Sequence, residues 1–109
     1  MNWIELNHVS QLDVIQDSSY TKAQVIFKHS TRCSISSMAL NRLEKSEAPQ
    51  AADFYFLDLI RHRDISNSIA DVFNVQHESP QILIIKNGKC IYHESHLAIE
   101  MPSITENIA

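Results

Sequence analysis

Apolar and polar residues change places along this chain in short blocks, and the blocks fall into two periods. Alternation with β-branched and aromatic members predicts strands, whereas recurrence every three or four residues predicts helices. Trp3-Ile4-Glu5-Leu6 reads as an edge strand. Ser10 with Asp13 three residues on has the form of a capping box, opening a helix that turns Leu12 and Ile15 inward and fades near Ser18-Ser19. Ala23 to Lys28 predicts an interior strand with Ala23, Val25 and Phe27 on one face. A polar stretch, His29-Ser30-Thr31-Arg32-Cys33-Ser34, follows it. Ile35, Met38, Ala39, Arg42 and Leu43 then recur at helical spacing, so a helix should begin within a residue or two of Cys33 and run to Lys45 or Ser46. Phe54 to Ile60 is apolar on both faces, as in a strand covered above and below. Ile65, Ile69, Val72 and Phe73 mark the inward face of another helix, with Asp64 or Ser66 as its cap. Gln81–Lys86 and Lys89–Glu94 are extended runs joined by Asn87-Gly88, a strong hairpin signal because both turn residues tolerate positive φ. A short helix from Pro102, carrying Ile104 and Ile108, ends the pattern.

Early alternation of strands and helices implies parallel pairing through helical crossovers, and the late hairpin implies an antiparallel edge. The expected class is α/β: one domain over residues 1–109, with a mixed central sheet and helices on both faces. This order resembles that of thioredoxin-like domains. Composition agrees with a single globular core, since 109 residues with 44% apolar and 20% charged members are ordinary for one domain. No apolar run approaches the roughly 20 residues of a membrane span; Ile82-Leu83-Ile84-Ile85 is typical of the longest. The start Met1-Asn2-Trp3-Ile4-Glu5 lacks the features of a signal peptide, so a cytoplasmic protein without membrane contact is expected. A net charge of −4 argues against a nucleic-acid partner, and one glycine, Gly88, excludes glycine-rich phosphate loops.

Two cysteines, Cys33 and Cys90, are too few for a disulfide scaffold or a four-thiolate zinc site. Cys33 stands at the carboxyl end of the presumed central strand and at a helix start, where free N–H groups and the helix dipole favour an anion. Lys28, Arg32 and His29 can add positive charge, the setting that lowers a thiol pKa. In Cys33-Ser34-Ile35-Ser36, a serine occupies the place where a dithiol oxidoreductase carries its second cysteine. Ser36 is therefore expected to hydrogen-bond the Cys33 thiolate through its hydroxyl or backbone. Pro80, after Ser79, opens the strand Gln81–Lys86, a position open to a residue that cannot donate to the ladder.

The segment Val75-Gln76-His77-Glu78-Ser79-Pro80-Gln81-Ile82-Leu83, the run Lys86-Asn87-Gly88-Lys89, the pair Ser95-His96 and Ser30-Thr31-Arg32-Cys33-Ser34-Ile35-Ser36 together resemble the monothiol bacilliredoxins. Ser34 and Leu97 depart from the proline and tryptophan frequent in that family. The resemblance implies a thiol-disulfide oxidoreductase that removes bacillithiol from protein mixed disulfides. Cys33 would be the nucleophile, with Ser36 and Arg32 stabilising its thiolate. It also implies that Pro80 is cis and that Ser79, Pro80, His77 and His96 belong to the substrate site; local charge in an acidic chain adds Lys28, with Arg32 or a nearby histidine, as a substrate-binding cation for the malate carboxylates of the small thiol. No cofactor is implied; bacillithiol is a co-substrate, and bacillithiolated client proteins are the partners. Two alternatives stay open: a glutaredoxin-like protein using glutathione or another small thiol, and a non-catalytic module whose Cys33 senses oxidation.

Cys90, His93 and His96 have a spacing that invites a metal, but an offset of three puts Cys90 and His93 on opposite faces of a regular strand, so no metal site is expected. Cys90 should lie quietly beside Tyr92. Asp58 is either a proton acceptor below the site or the exposed end of its strand.

Overall fold

The computed structural model describes all 109 residues. Five strands, β1 (Trp3–Glu5), β2 (Ala23–His29), β3 (Ala52–Asp58), β4 (Gln81–Lys86) and β5 (Lys89–Ser95), form one sheet in the order β1-β3-β2-β4-β5. β1, β3 and β2 run parallel, whereas β4 is antiparallel to β2 and to β5. Helices α1 (Gln11–Ser18) and α3 (Arg63–Phe73) cover one face, and α2 (Ser34–Lys45) and α4 (Met101–Ile108) cover the other. A single 3-10 turn, His96–Ala98, leads from β5 toward α4. No helix is long and apolar enough to cross a membrane.

The pleat explains how one sheet serves two cores. Ile26, Tyr55, Leu57, Leu83 and Ile85 meet Leu12 and Ile15 of α1 and Ile65, Ile69 and Phe73 of α3. Val25, Phe27, Phe54, Ile82 and Ile84 meet Ala39 and Leu43 of α2 and Ile104 and Ile108 of α4. Burying each such large side chain stabilises the fold by about 1.5–3 kcal/mol. β2 lies at the centre, and all seven of its residues are buried.

Local details depart from expectation. Ser10 does not cap α1; it is already helical, and the Gln11 side chain instead accepts from the amides of Asn7 and His8 and donates to the Glu5 carbonyl. α3 starts at Arg63, so His62 rather than Asp64 or Ser66 precedes it, and Val72 faces solvent while Ile65, Ile69 and Phe73 are buried. β3 begins two residues early, at Ala52, and ends at Asp58. The buried stripe of α2 is Ser36, Ala39 and Leu43, leaving Met38 outside at 55% exposure. In the hairpin, Asn87 (φ 54°) and Gly88 (φ 78°) both adopt left-handed backbone, and a Cβ on Gly88 would sit 2.5 Å from the Tyr20 hydroxyl. The end of α1 holds this turn, with Ser19 accepting from the amides of Asn87 and Gly88.

β5 carries a bulge. Ile84 pairs with Tyr92 but Ile85 pairs with Cys90, so Ile91 is the extra residue. Cys90 consequently packs on the α1/α3 core while Tyr92 packs on the α2/α4 core.

Candidate active site

The carboxyl end of β2 delivers the chain to Cys33 through a loop braced from below. Ser30 is buried, and its carbonyl accepts from the Cys33 amide at 3.2 Å. Cys33 itself has extended backbone (φ −117°, ψ 121°), and its carbonyl accepts from the Ser37 amide, which makes it the residue that opens α2. Its side chain is half-buried and free. Ile35 and Met38 of α2 and Leu97 of the 3-10 turn present exposed apolar surface on neighbouring elements. The Arg42 guanidinium ties the turn to α2 by donating to the carbonyls of Leu97 and Ile99 at 3.0 and 3.1 Å.

Ser36 does not hydrogen-bond Cys33, contrary to expectation. Its hydroxyl is fully buried, accepts from the Ser30 amide at 3.0 Å and lies 2.7 Å from His29 Nδ1. An oxygen so engaged closes the loop onto the first turn of α2 from the buried side. His29, expected to add positive charge beside Cys33, instead packs against Phe27 and Phe56 and has its pKa lowered, chiefly by burial and against the raising influence of Asp58. Arg32 is solvent-exposed, and its guanidinium makes no hydrogen bond or ion pair; only its amide is engaged, with Ser30 Oγ at 3.4 Å.

The Ser79–Pro80 bond is cis, and Pro80 is buried at the entrance of β4. The Pro80 carbonyl accepts from the His96 amide at 3.1 Å, so the backbone at His96, which has φ 57°, lies against the proline. The His96 ring is exposed and makes no hydrogen bond. Ser79 Oγ is buried without a partner. Behind this loop Lys28, expected to meet substrate, is instead fully buried on the α3 face. Its ammonium donates to the Ser66 carbonyl and meets His77 Nδ1, both at 3.3 Å, and burial pushes its pKa down to about 8. It cannot present its charge to a bound thiol from there. His77 is exposed at the loop surface, with its pKa lowered first by burial and then by Lys28. Ser66 and Gln81, also missed, share this buried polar patch; the signal available for Ser66 was its place among the inward residues Ile65 and Ile69.

Cys90 lies at the other end of the sheet. It pairs with Ile85, which pairs with Gln24 near the start of β2, five strand residues before His29. At about 3.3 Å per residue this separates its strand position from the Cys33 end by roughly 16 Å, far outside disulfide reach. Burial pushes the Cys90 thiol pKa up, and Sγ donates to the Tyr92 carbonyl at 3.3 Å. The bulge overturns one expectation, because Cys90 and His93 now pair with Ile85 and Leu83 on the same face. No three His, Cys, Asp or Glu side chains gather closely enough to hold a metal. Asp58 is the half-buried last residue of β3, and its Oδ1 accepts from the amides of Ile60 and Arg61 and closes the turn after the strand.

These features agree with known proteins. A solved structure provisionally described as an oxidoreductase with a thioredoxin fold superposes with a TM-score of 0.81 at 33% identity, over 94% of this chain and 90% of its own. Thioredoxin from Malassezia sympodialis matches at 0.72 with 20% identity, over 98% of this chain and 88% of its own. Thioredoxin from Fasciola hepatica gives 0.69 with 17% identity, over 95% and 94% respectively. The fold is therefore thioredoxin-like, with the hairpin closing one side of a mixed sheet. Residues 4–104 match the family model described as monothiol bacilliredoxin BrxC. With a thioredoxin-like fold and a family match over nearly its whole length, this chain belongs to the monothiol bacilliredoxin family, a family of thiol-redox proteins.

Proposed function

We propose that this protein removes bacillithiol from oxidised cysteines of client proteins, acting in a reducing cytoplasm. The observation that carries the reading is the solitary, half-buried Cys33 at the start of α2, with the only other thiol at the far end of the sheet. Cys33 thiolate attacks the bacillithiol sulfur of the client's mixed disulfide. That S–S bond breaks, the client sulfur leaves as thiolate and takes a proton from water, and a new disulfide joins Cys33 to bacillithiol. A second bacillithiol thiolate then attacks the outer sulfur, releasing Cys33 as thiolate and forming bacillithiol disulfide. Exchange of this kind depends on thiolate fraction and access, and a thiol without an internal resolving partner suits it. Arg32 and the rings of His77 and His96, all exposed, are the groups available to the carboxylates of the small thiol. Ser79 and Pro80, which precede β4 where it pairs with the end of β2, are the wall this reading assigns to the bound thiol.

The test is release of client thiol from a bacillithiolated protein. Cys33→Ser should abolish turnover, and Cys90→Ser should retain it. Stoichiometric capping of Cys33 without released client thiol would make the protein a sensor. Turnover restricted to glutathionylated client would assign the small thiol to glutathione.

A further inference from the structure

The loop from Gln76 to Pro80 is gripped by four other parts of the chain. Gln81 Nε2 donates to the Gln76 carbonyl, the Lys28 ammonium meets His77, Ser95 Oγ donates to the Glu78 carboxylate, and the His96 amide donates to the Pro80 carbonyl. Only the Lys28 grip uses a buried charge. No carboxylate pairs with this ammonium, since the one ion pair in the molecule joins Lys22 and Asp53. A buried ammonium without a counter-ion is a costly way to fill space that an apolar side chain would fill more cheaply. Its two hydrogen bonds, to Ser66 of α3 and to His77 of the loop, are what offset that cost.

We propose that Lys28 is a positioning residue that sets the place of the Ser79–Pro80 loop, acting from inside the sheet through His77. Accepting at Nδ1 requires a neutral ring with its proton on Nε2. Ser66 Oγ, also 3.3 Å from Nδ1, keeps the ring over the ammonium. The charged groups facing His77 are Lys28 beneath it, Arg63 on α3 and Glu78 beside it in the loop. The two cations and burial keep the ring neutral into mild acid, against Glu78, so the grip holds at neutral pH. Protonation of His77 in stronger acid removes the acceptor and sets two cations together, which opens the grip.

Three variants separate this role from simple packing. Lys28→Met fills the space but cannot donate, and His77→Leu fills the loop position but cannot accept. His77→Gln can accept through its amide oxygen and does not titrate. Lys28→Met should raise hydrogen exchange at the His96 amide, which donates to the Pro80 carbonyl of this loop, about tenfold, the equilibrium factor of a lost interaction of modest strength. It should also move the His77 ring titration, followed by NMR, upward. His77→Leu should match it in amide exchange, and the double variant should be no worse than either single one. His77→Gln should recover most of what His77→Leu loses and should remove the His77 step from the acid side of the pH profile of thiol exchange, leaving the fall that protonation of the attacking thiol imposes. That last measurement rests on the reading of Cys33 as the attacking thiol; the amide and ring measurements do not, and they decide the proposal even if no exchange is found. An unchanged His77 titration in Lys28→Met, or His77→Gln as damaging as His77→Leu, overturns it.

Discussion

Lys28 and His29 are consecutive residues at the carboxyl end of β2, and the pleat sends them to opposite faces of the sheet. Each is buried, and each holds one of the two loops at that end of the strand. His29 works by neutral chemistry: its ring stacks near Phe27 and Phe56, and Nδ1 meets Ser36, whose oxygen ties the Ser30 amide and so the Cys33 loop. Lys28 works by charge, donating to Ser66 and His77 with no acid in reach. The thiol side and the proline side of the candidate site therefore respond to different conditions. The Cys33 loop depends on packing and neutral hydrogen bonds. The proline loop depends on where a proton sits.

The largest expected effect separates the two in alkali. In the unfolded chain Lys28 titrates near 10.5, and in the fold near 8. Between these values the unfolded state binds more protons, so the contribution of Lys28 to stability rises with pH through that window; its full cost is present below about 8. The difference is up to roughly 3 kcal/mol, at about 1.4 kcal/mol per pH unit. Urea denaturation of wild type against Lys28→Met should show the wild type gaining by that amount as pH climbs through the window. A flat difference would mean that water reaches the ammonium, and the contrast with His29 would collapse.

A smaller effect tests the other face. Ser36→Ala leaves the Ser30 amide and the His29 ring nitrogen buried without their partner, which should cost about 2 kcal/mol in denaturant unfolding. The residue then acts as a brace, and any loss of thiol exchange should follow the loss of loop order. Unchanged stability with a large drop in exchange would instead place Ser36 at the sulfur.

What the sequence made legible was whatever depends on period and order. Strands β2, β4 and β5, the hairpin at Asn87-Gly88 and the helix opening at Cys33 all follow from alternation and spacing, because burial of one face demands them. Lys28 is expected at the small thiol because its charge lies close to Cys33 in sequence, which says nothing of the face it takes. Its parity with Gln24 and Ile26 in a strand covered on both sides already placed it inside. Ser36 was misread because the spacing from Cys33 shows nearness along the helix and not the direction of a hydroxyl, which the buried Ser30 amide decided. The bulge at Ile91 had no signal, since apolar Cys90 and Tyr92 two apart read as one face of a regular strand. Cap positions differ for a related reason: Ser10 is already helical, and the amides of Leu12 and Asp13 donate to the carbonyls of Val9 and Ser10, so the Ser10 hydroxyl has no free amide to accept from.

The finest test concerns Asp58, which pairs with His29 across β2 and β3 and whose charge raises the His29 pKa against the larger lowering by burial. Asp58→Asn keeps an oxygen to accept from the amides of Ile60 and Arg61, so the turn should survive with a loss of only about 0.5 kcal/mol. The charge, however, is gone, and an NMR titration should find the His29 pKa lower still. The unfolded chain then binds more protons than the fold over a wider interval below 6.5, so the variant should lose stability faster than wild type as the pH falls. The Lys28 grip lies on the opposite face and should not notice. If Asp58→Asn instead reduces thiol exchange by orders of magnitude while the His29 titration stays put, the carboxylate handles a proton in the reaction, and the division of β2 into a neutral face and a charged face no longer describes the site.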